Sequence, residues 1–158
     1  MGRPLGLMLA GVGVIALASG GPLVVERGAG PLRVEAALPR SAFAPGEPVE
    51  VTIAAVNRGG APLSITFTSS QRFDLIVRRP RGDAVWQWSH DKAFIQVVQT
   101  VALPPGERLV GRLAWDQRDF QGRAVDPGPY EAVAVFLGRT GPGGEMRLPP
   151  LAFEIVER

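Results

Sequence analysis

The sequence has no cysteine, one histidine and one lysine. The missing cysteine excludes disulfides, thiolate metal sites and a cysteine nucleophile. With His90 alone and no Asp-x-Asp loop, converging metal ligands are lacking as well, and no cofactor is expected. The lack of disulfides does not assign a compartment, because an exported domain with a good core does without them. Charge of one sign is also scarce. Lys and Arg number 17 against 15 Asp and Glu, for a net +2. The basic residues, nearly all arginine, are dispersed, and the densest run is Arg78-Arg79-Pro80-Arg81. A basic face for nucleic acid is therefore not expected. Hydrophobic residues, in contrast, make up 46% of 158 positions, enough for the core of one domain.

The first residues stand apart from the rest. Arg3 supplies a short positive start, and Leu5 to Ala18 is almost wholly apolar. Ala16-Leu17-Ala18 is an A-x-A sequence of the kind cut by a signal peptidase, whose pocket takes only small side chains. The run is short for a membrane span, which needs about 20 residues. Residues 1–18 are expected to be a signal peptide, with an uncleaved anchor as the alternative, and a segment of the core also considered. Export is expected accordingly, with membrane contact only through this segment if it is retained. Residues 19–31, rich in Gly and Pro, are expected to be a linker, and residues 32–158 the folded domain.

From Leu32 onward the hydrophobic period is two. Val49, Val51, Ile53 and Ala55 share one face. So do Leu63, Ile65 and Phe67, then Phe73, Leu75 and Val77. Pro45-Gly46, Asn57 to Gly60, Pro80 to Asp83 and Pro104 to Gly106 punctuate these runs as turns. Ile95 to Leu103 follows, Leu109, Gly111, Leu113 and Trp115 alternate, Tyr130 to Leu137 is a strongly apolar strand, Leu148 to Val156 closes the chain, and no segment carries a helical stripe. The expected fold is all-β, an antiparallel β-sandwich of about eight strands. Asp126-Pro127-Gly128-Pro129-Tyr130 enters a strand as D-x-G-x-Y, the pattern of a tyrosine corner. Tyr130 should pack on the core edge and bond backbone upstream.

The stretch Val85 to Phe94, VWQWSHDKAF, holds the lone histidine, the lone lysine and two of the 3 tryptophans. With Pro80 to Asp83 as a hairpin loop, Val77 faces Trp86, Leu75 faces Trp88 and Phe73 faces His90. Trp86 and Trp88 then belong to the core face. The opposite face pairs Asp74 with Ser89 by a hydrogen bond and Arg72 with Asp91 as ions. Ser89, His90 and Asp91 are the residue types of a hydrolase triad, but neighbours on a strand point to opposite faces and cannot converge. Nor are any two of the acids marked out as a glycosidase pair. Arg81-Gly82-Asp83 is similar to a cell-adhesion tripeptide, yet Gly-Asp is ordinary turn chemistry.

These residues form a joint pattern: Val51 to Asn57, Leu63 to Phe67, Ser69-Ser70-Gln71-Arg72-Phe73-Asp74-Leu75, Val85-Trp86-Gln87-Trp88-Ser89, Asp91-Lys92-Ala93-Phe94, Leu103 to Glu107, Trp115-Asp116 and Pro127-Gly128-Pro129-Tyr130. It resembles the bacterial intracellular proteinase inhibitor family (BsuPI-type domains) over roughly residues 45 to 138. The resemblance implies an immunoglobulin-like sandwich and a non-enzymatic domain that inhibits a subtilisin-like serine protease. It makes Gln71, Arg72, Phe73, Asp74, Trp86, Trp88, Ser89, Asp91, Lys92, Phe94, Trp115, Gly128 and Tyr130 signature residues, read as structural. An inhibitor presents a rigid exposed loop or edge strand to the protease cleft. The candidate loops are 78–83 with Arg79, Arg81 and Asp83, 117–129 with Arg118 and Arg123, and 138–150 with Arg139, Met146 and Arg147. The competing reading is an exported cell-envelope binding module that contacts its partner through an apolar patch or an open sheet edge.

Overall fold

The computed structural model describes residues 13–16, 21–141 and 144–157. The chain forms β1 (Gly13–Ala16), β2 (Leu23–Ala29), β3 (Leu32–Leu38), β4 (Ala42–Phe43), β5 (Val49–Asn57) and β6 (Leu63–Phe67). It continues through β7 (Phe73–Arg78), β8 (Ala84–Gln87), β9 (Gln99–Leu103), β10 (Arg108–Trp115), β11 (Gly128–Phe136), β12 (Met146–Arg147) and β13 (Leu151–Ile155). One sheet runs β1-β2-β3-β5-β10, and the other β4-β13-β11-β7-β8 with β12 also on β11. β6 and β9 form a separate ribbon. Pairing is antiparallel except between β4 and β13. This is the expected all-β sandwich, immunoglobulin-like in architecture, with thirteen strands among the described residues where about eight were expected; two of them, β4 and β12, are too short to show a period.

Alternation is the reason these segments are strands. Val49, Val51, Ile53 and Ala55 are buried along β5 while Glu50 between them is exposed. Successive side chains point to opposite faces, so one face enters the core. Aromatic rings fill that core at both ends. Trp115 lies 5.5 Å from Tyr130, 6.2 Å from Phe153 and 6.3 Å from Trp86. At the far end Phe136 meets Phe67 at 5.8 Å and Phe73 at 5.7 Å. The tyrosine corner is present: the Tyr130 hydroxyl donates to the Asp126 carbonyl at 2.5 Å.

The region read as a linker is partly a strand. Residues 23–29 form β2, paired along its length with β3 across a turn at Gly30-Pro31. Gly30 takes φ 56°, a left-handed conformation that glycine adopts without strain. Gly and Pro here mark a hairpin rather than a loose tether, and Val25 is buried. Of the segment expected to be a signal peptide, residues 13–16 pair with β2, and the remainder lies outside the described residues.

The hairpin at Pro80 to Asp83 keeps its expected Val77–Trp86 pair, with a bulge between Val77 and Arg78. Beyond Gln87 the chain departs from expectation. It leaves the sheet and makes one 3₁₀ turn, Trp88–Asp91. The pairs Leu75–Trp88 and Phe73–His90 therefore do not form, and Trp88 is half-buried at the rim instead of lying in the core. The Arg72–Asp91 pair does not form either. Asp91 pairs with Lys92 at 3.3 Å, and Arg72 donates to the Gln99 side chain at 2.7 Å. The strand expected from Ile95 begins only at Gln99.

Candidate functional site

The loops bearing the candidate contact residues divide between opposite ends of β11. The β7–β8 loop and the segment 117–129 lie at its Gly128 end. Arg79 spans them: its guanidinium sits 4.1 Å over the Tyr130 ring and reaches the Pro129 and Asp126 carbonyls at 3.5 Å. Burial pushes the Tyr130 phenol above its ordinary pKa, while the Arg79 charge pulls the other way. Arg79 thus braces the tyrosine corner. Arg81 and Asp83 are exposed, in a tight turn where the Gly82 N–H donates to the Arg79 carbonyl at 2.9 Å.

Arg118 and Arg123 belong to a small closed hairpin. The Asp119 N–H donates to the Arg123 carbonyl at 2.8 Å, and Asp119 Oδ1 accepts from the Gln121 and Arg123 N–H groups at 2.9 Å. The Arg118 guanidinium folds back onto the Gly122 carbonyl at 2.9 Å. Its stem is held by Gln117, buried although φ is 63°, whose side chain donates to the Ala44 and Glu47 carbonyls and accepts from the Gly46 N–H. Arg139, Met146 and Arg147 stand at the other end of β11. Arg139 bridges Thr66, Met146 pairs with Phe136, and Arg147 pairs with Val135. The structure therefore places the loops of Arg79, Arg81, Asp83, Arg118 and Arg123 at one end of β11 and Arg139, Met146 and Arg147 at the other.

Trp115, Gly128 and Tyr130 of the signature belong to the Gly128 end of β11, and the others gather around Asp74 and Trp88. Asp74 is buried on β7, and its carboxylate accepts from Leu75 N at 2.9 Å, Gln87 Nε2 at 2.6 Å, Ser89 N at 3.2 Å and Ser89 Oγ at 2.7 Å. A buried carboxylate is costly unless hydrogen-bonded. Drawing Ser89 over Asp74 meets that demand and turns the chain out of the sheet. Lys92 then lies 4.3 Å over the Trp88 ring, donating to the Trp88 carbonyl at 3.0 Å, and Phe94 packs 6.1 Å from the same ring. The Lys92 ammonium also holds the Asp91 carboxyl below its usual range. Gln71 donates to the Phe73 carbonyl at 3.0 Å. Trp115 Nε1 donates to the Arg118 carbonyl at 2.8 Å, and Gly128 enters β11 at φ 134°. Ser89, His90 and Asp91 do not converge as a triad: Ser89 serves Asp74, His90 packs edge-on against Phe120 at 5.2 Å, and Asp91 turns to Lys92.

Trp88, Lys92 and Phe94 lead into a segment, Ile95 to Val98, that the sequence pattern did not single out. Between Lys92 and Val98 the chain has no regular structure. Ile95 is 69% exposed, Val97 46% and Val98 69%. The segment is nonetheless held: the Ser70 N–H donates to the Ile95 carbonyl at 2.9 Å, and the Ile95 N–H donates to Ser70 Oγ at 3.0 Å. A clue was present in the sequence. Phe94-Ile95-Gln96-Val97-Val98 is apolar at both parities, unlike the alternating strands around it.

Comparison with known proteins adds one strong match. A family model described as BsuPI, intracellular proteinase inhibitor, matches residues 37–141. No curated protein matches the chain. Among solved structures, the sporulation control protein Spo0M from Bacillus subtilis is similar at 15% identity and a TM-score of 0.47, over 82% of this chain and 51% of that one. A Pseudomonas fluorescens alkylpurine DNA glycosylase is similar at 16% identity and 0.43, over 74% and 28%. A β-glucosidase from Erythrobacter marinus is similar at 18% and 0.43, over 87% and 15%. The chain thus spans about half of Spo0M and far less of the two enzymes.

Proposed function

The chain belongs to the BsuPI intracellular proteinase inhibitor family, and on that premise we propose that it is a non-enzymatic domain that binds and blocks a subtilisin-like serine protease. The observation that carries this reading is the extent of the match. Residues 37–141 take in β4 to β11 and every residue of the Asp74–Ser89–Trp88 cluster. The arrangement of Ser89, His90 and Asp91 supports it, since each side chain is occupied in building the turn.

The apolar segment ending at Ala16-Leu17-Ala18 favours export. The protease would then be one met outside the cytoplasm, although the family is described as intracellular. The same segment favours a second reading, a cell-envelope binding module without inhibitory activity. Titration of the full chain against a panel of serine proteases, with a small chromogenic substrate, separates the two. Saturable loss of protease activity with the chain intact is the expected result. Steady digestion of the chain, or unchanged protease activity, would favour the envelope module. Fractionation with N-terminal sequencing of the product tests export.

A further inference from the structure

Three of the large hydrophobic side chains most open to solvent, Ile95, Val97 and Val98, fall within four consecutive residues. Exposed apolar groups scattered singly need no explanation, but a cluster on one fixed segment marks a contact surface. The segment is fixed by the residues the family pattern singles out. Lys92 and Phe94 seat its start on Trp88, Ser70 clasps Ile95, and Arg72 grips Gln99 as the chain enters β9 of the separate ribbon. The Asp74–Ser89 bond sets the turn from which it departs. What reads as structural scaffolding is thus a mount for Phe94 to Val98.

We propose that residues 94–98 are the segment this domain inserts into a protease, and that the cleft they fit selects aliphatic side chains. This rests on the inhibitor reading above. The chemistry of the segment excludes a cleft that selects basic residues. From Ala93 to Pro105 there is no charged side chain, and the neighbouring Lys92 ammonium is committed to the Trp88 carbonyl, the Trp88 ring and Asp91. The backbone geometry explains why the segment would be bound rather than cut. The Ile95 carbonyl accepts from the Ser70 N–H at 2.9 Å and from the Val97 N–H at 3.1 Å. A carbonyl held in this way enters an oxyanion hole only by giving up those donors. The arginine-bearing loops are less suited. Arg79 lies over the Tyr130 ring and reaches the Pro129 and Asp126 carbonyls, and Arg118 folds back onto the Gly122 carbonyl, so neither side chain is free to fill a cleft.

The test is a titration of the full chain and of Ile95→Asp and Val98→Asp against subtilisin, elastase and trypsin, with the melting temperature of each variant recorded. Both positions are solvent-facing, so melting should be unchanged. The expected result is inhibition of subtilisin or elastase, weakened about 30-fold or more by each substitution. Inhibition by the wild type that both variants retain would overturn the assignment of the segment while leaving the inhibitor reading intact. Inhibition confined to trypsin, or lost on Arg81→Ala or Arg139→Ala instead, would overturn it in favour of an arginine loop. A wild-type chain that inhibits none of the three would overturn both readings together.

Discussion

Ser89 Oγ donates to the buried carboxylate of Asp74 at 2.7 Å, while the Ser89 backbone N–H reaches the other carboxylate oxygen at 3.2 Å. One residue thus satisfies both oxygens and commits the chain to a turn. Hydrogen bonds to a charged acceptor are worth more than neutral ones, and donors left buried without it pay their own desolvation. Asp74→Ala should therefore cost about 3 kcal/mol or more. Urea unfolding measures the loss. A stability equal to wild type would mean that the turn forms without this carboxylate.

The two neighbouring tryptophans should separate sharply. Trp86 is buried between His90 and Trp115, whereas Trp88 is half-buried beneath Phe94 and Lys92. Trp86→Ala should cost about 3–5 kcal/mol, as expected for a large core ring. Trp88→Ala should cost about 1–2 kcal/mol, the range of a partly exposed contact. It should, however, loosen the mount of residues 94–98, so inhibition should fall by more than stability does. Equal losses of stability at both positions would restore Trp88 to the core.

The contrast between these tryptophans shows what a sequence pattern can carry. Period-two alternation made the first half of β5 and much of β7 legible, and the apolar run of β11 fits a strand buried on both faces. The D-x-G-x-Y spacing made the Tyr130 corner legible, because the bond it makes is local. The Val77–Trp86 register followed from the turn between them. The exit of Trp88 from the strand was not legible, because it answers a tertiary demand, the burial of Asp74. β2 was hidden by composition: Gly28 and the Gly30-Pro31 turn look like a linker until β3 is there to pair with. Gln117 was hidden because its role depends on carbonyls some seventy residues away in sequence, at Ala44 and Glu47. The exposure of Ile95 to Val98 was hidden for the same reason. Nothing in an apolar run states that no strand will cover it.

Gly111 on β10 marks a close approach between the sheets. A Cβ built there would lie 2.5 Å from the Phe73 ring, and Phe73 is packed against Phe136. Gly111→Ala should therefore destabilise by about 1–3 kcal/mol through overpacking. Paired with Phe73→Leu, which withdraws the ring, the cost should be less than the sum of the single changes. A double mutant with strictly additive losses would mean that the strand shifts away from Phe73 rather than pressing on it.

Tyr130 predicts an alkaline limit to stability. Its pKa is raised above the ordinary 10.0, chiefly by burial, against the opposing Arg79 charge. The folded state therefore holds the phenolic proton more tightly than the unfolded chain does. Its contribution is fully present below the unfolded pKa and is lost as pH rises through the raised folded value. Tyr130→Phe removes the titration and the bond to the Asp126 carbonyl together, and at neutral pH should cost about 1 kcal/mol. Stability of wild type and Tyr130→Phe measured from pH 8 upward should show a gap that is constant at first and closes above the ordinary tyrosine pKa. A gap that widened with pH would mean that Arg79, 4.1 Å above the ring, stabilises the phenolate more than burial penalises it.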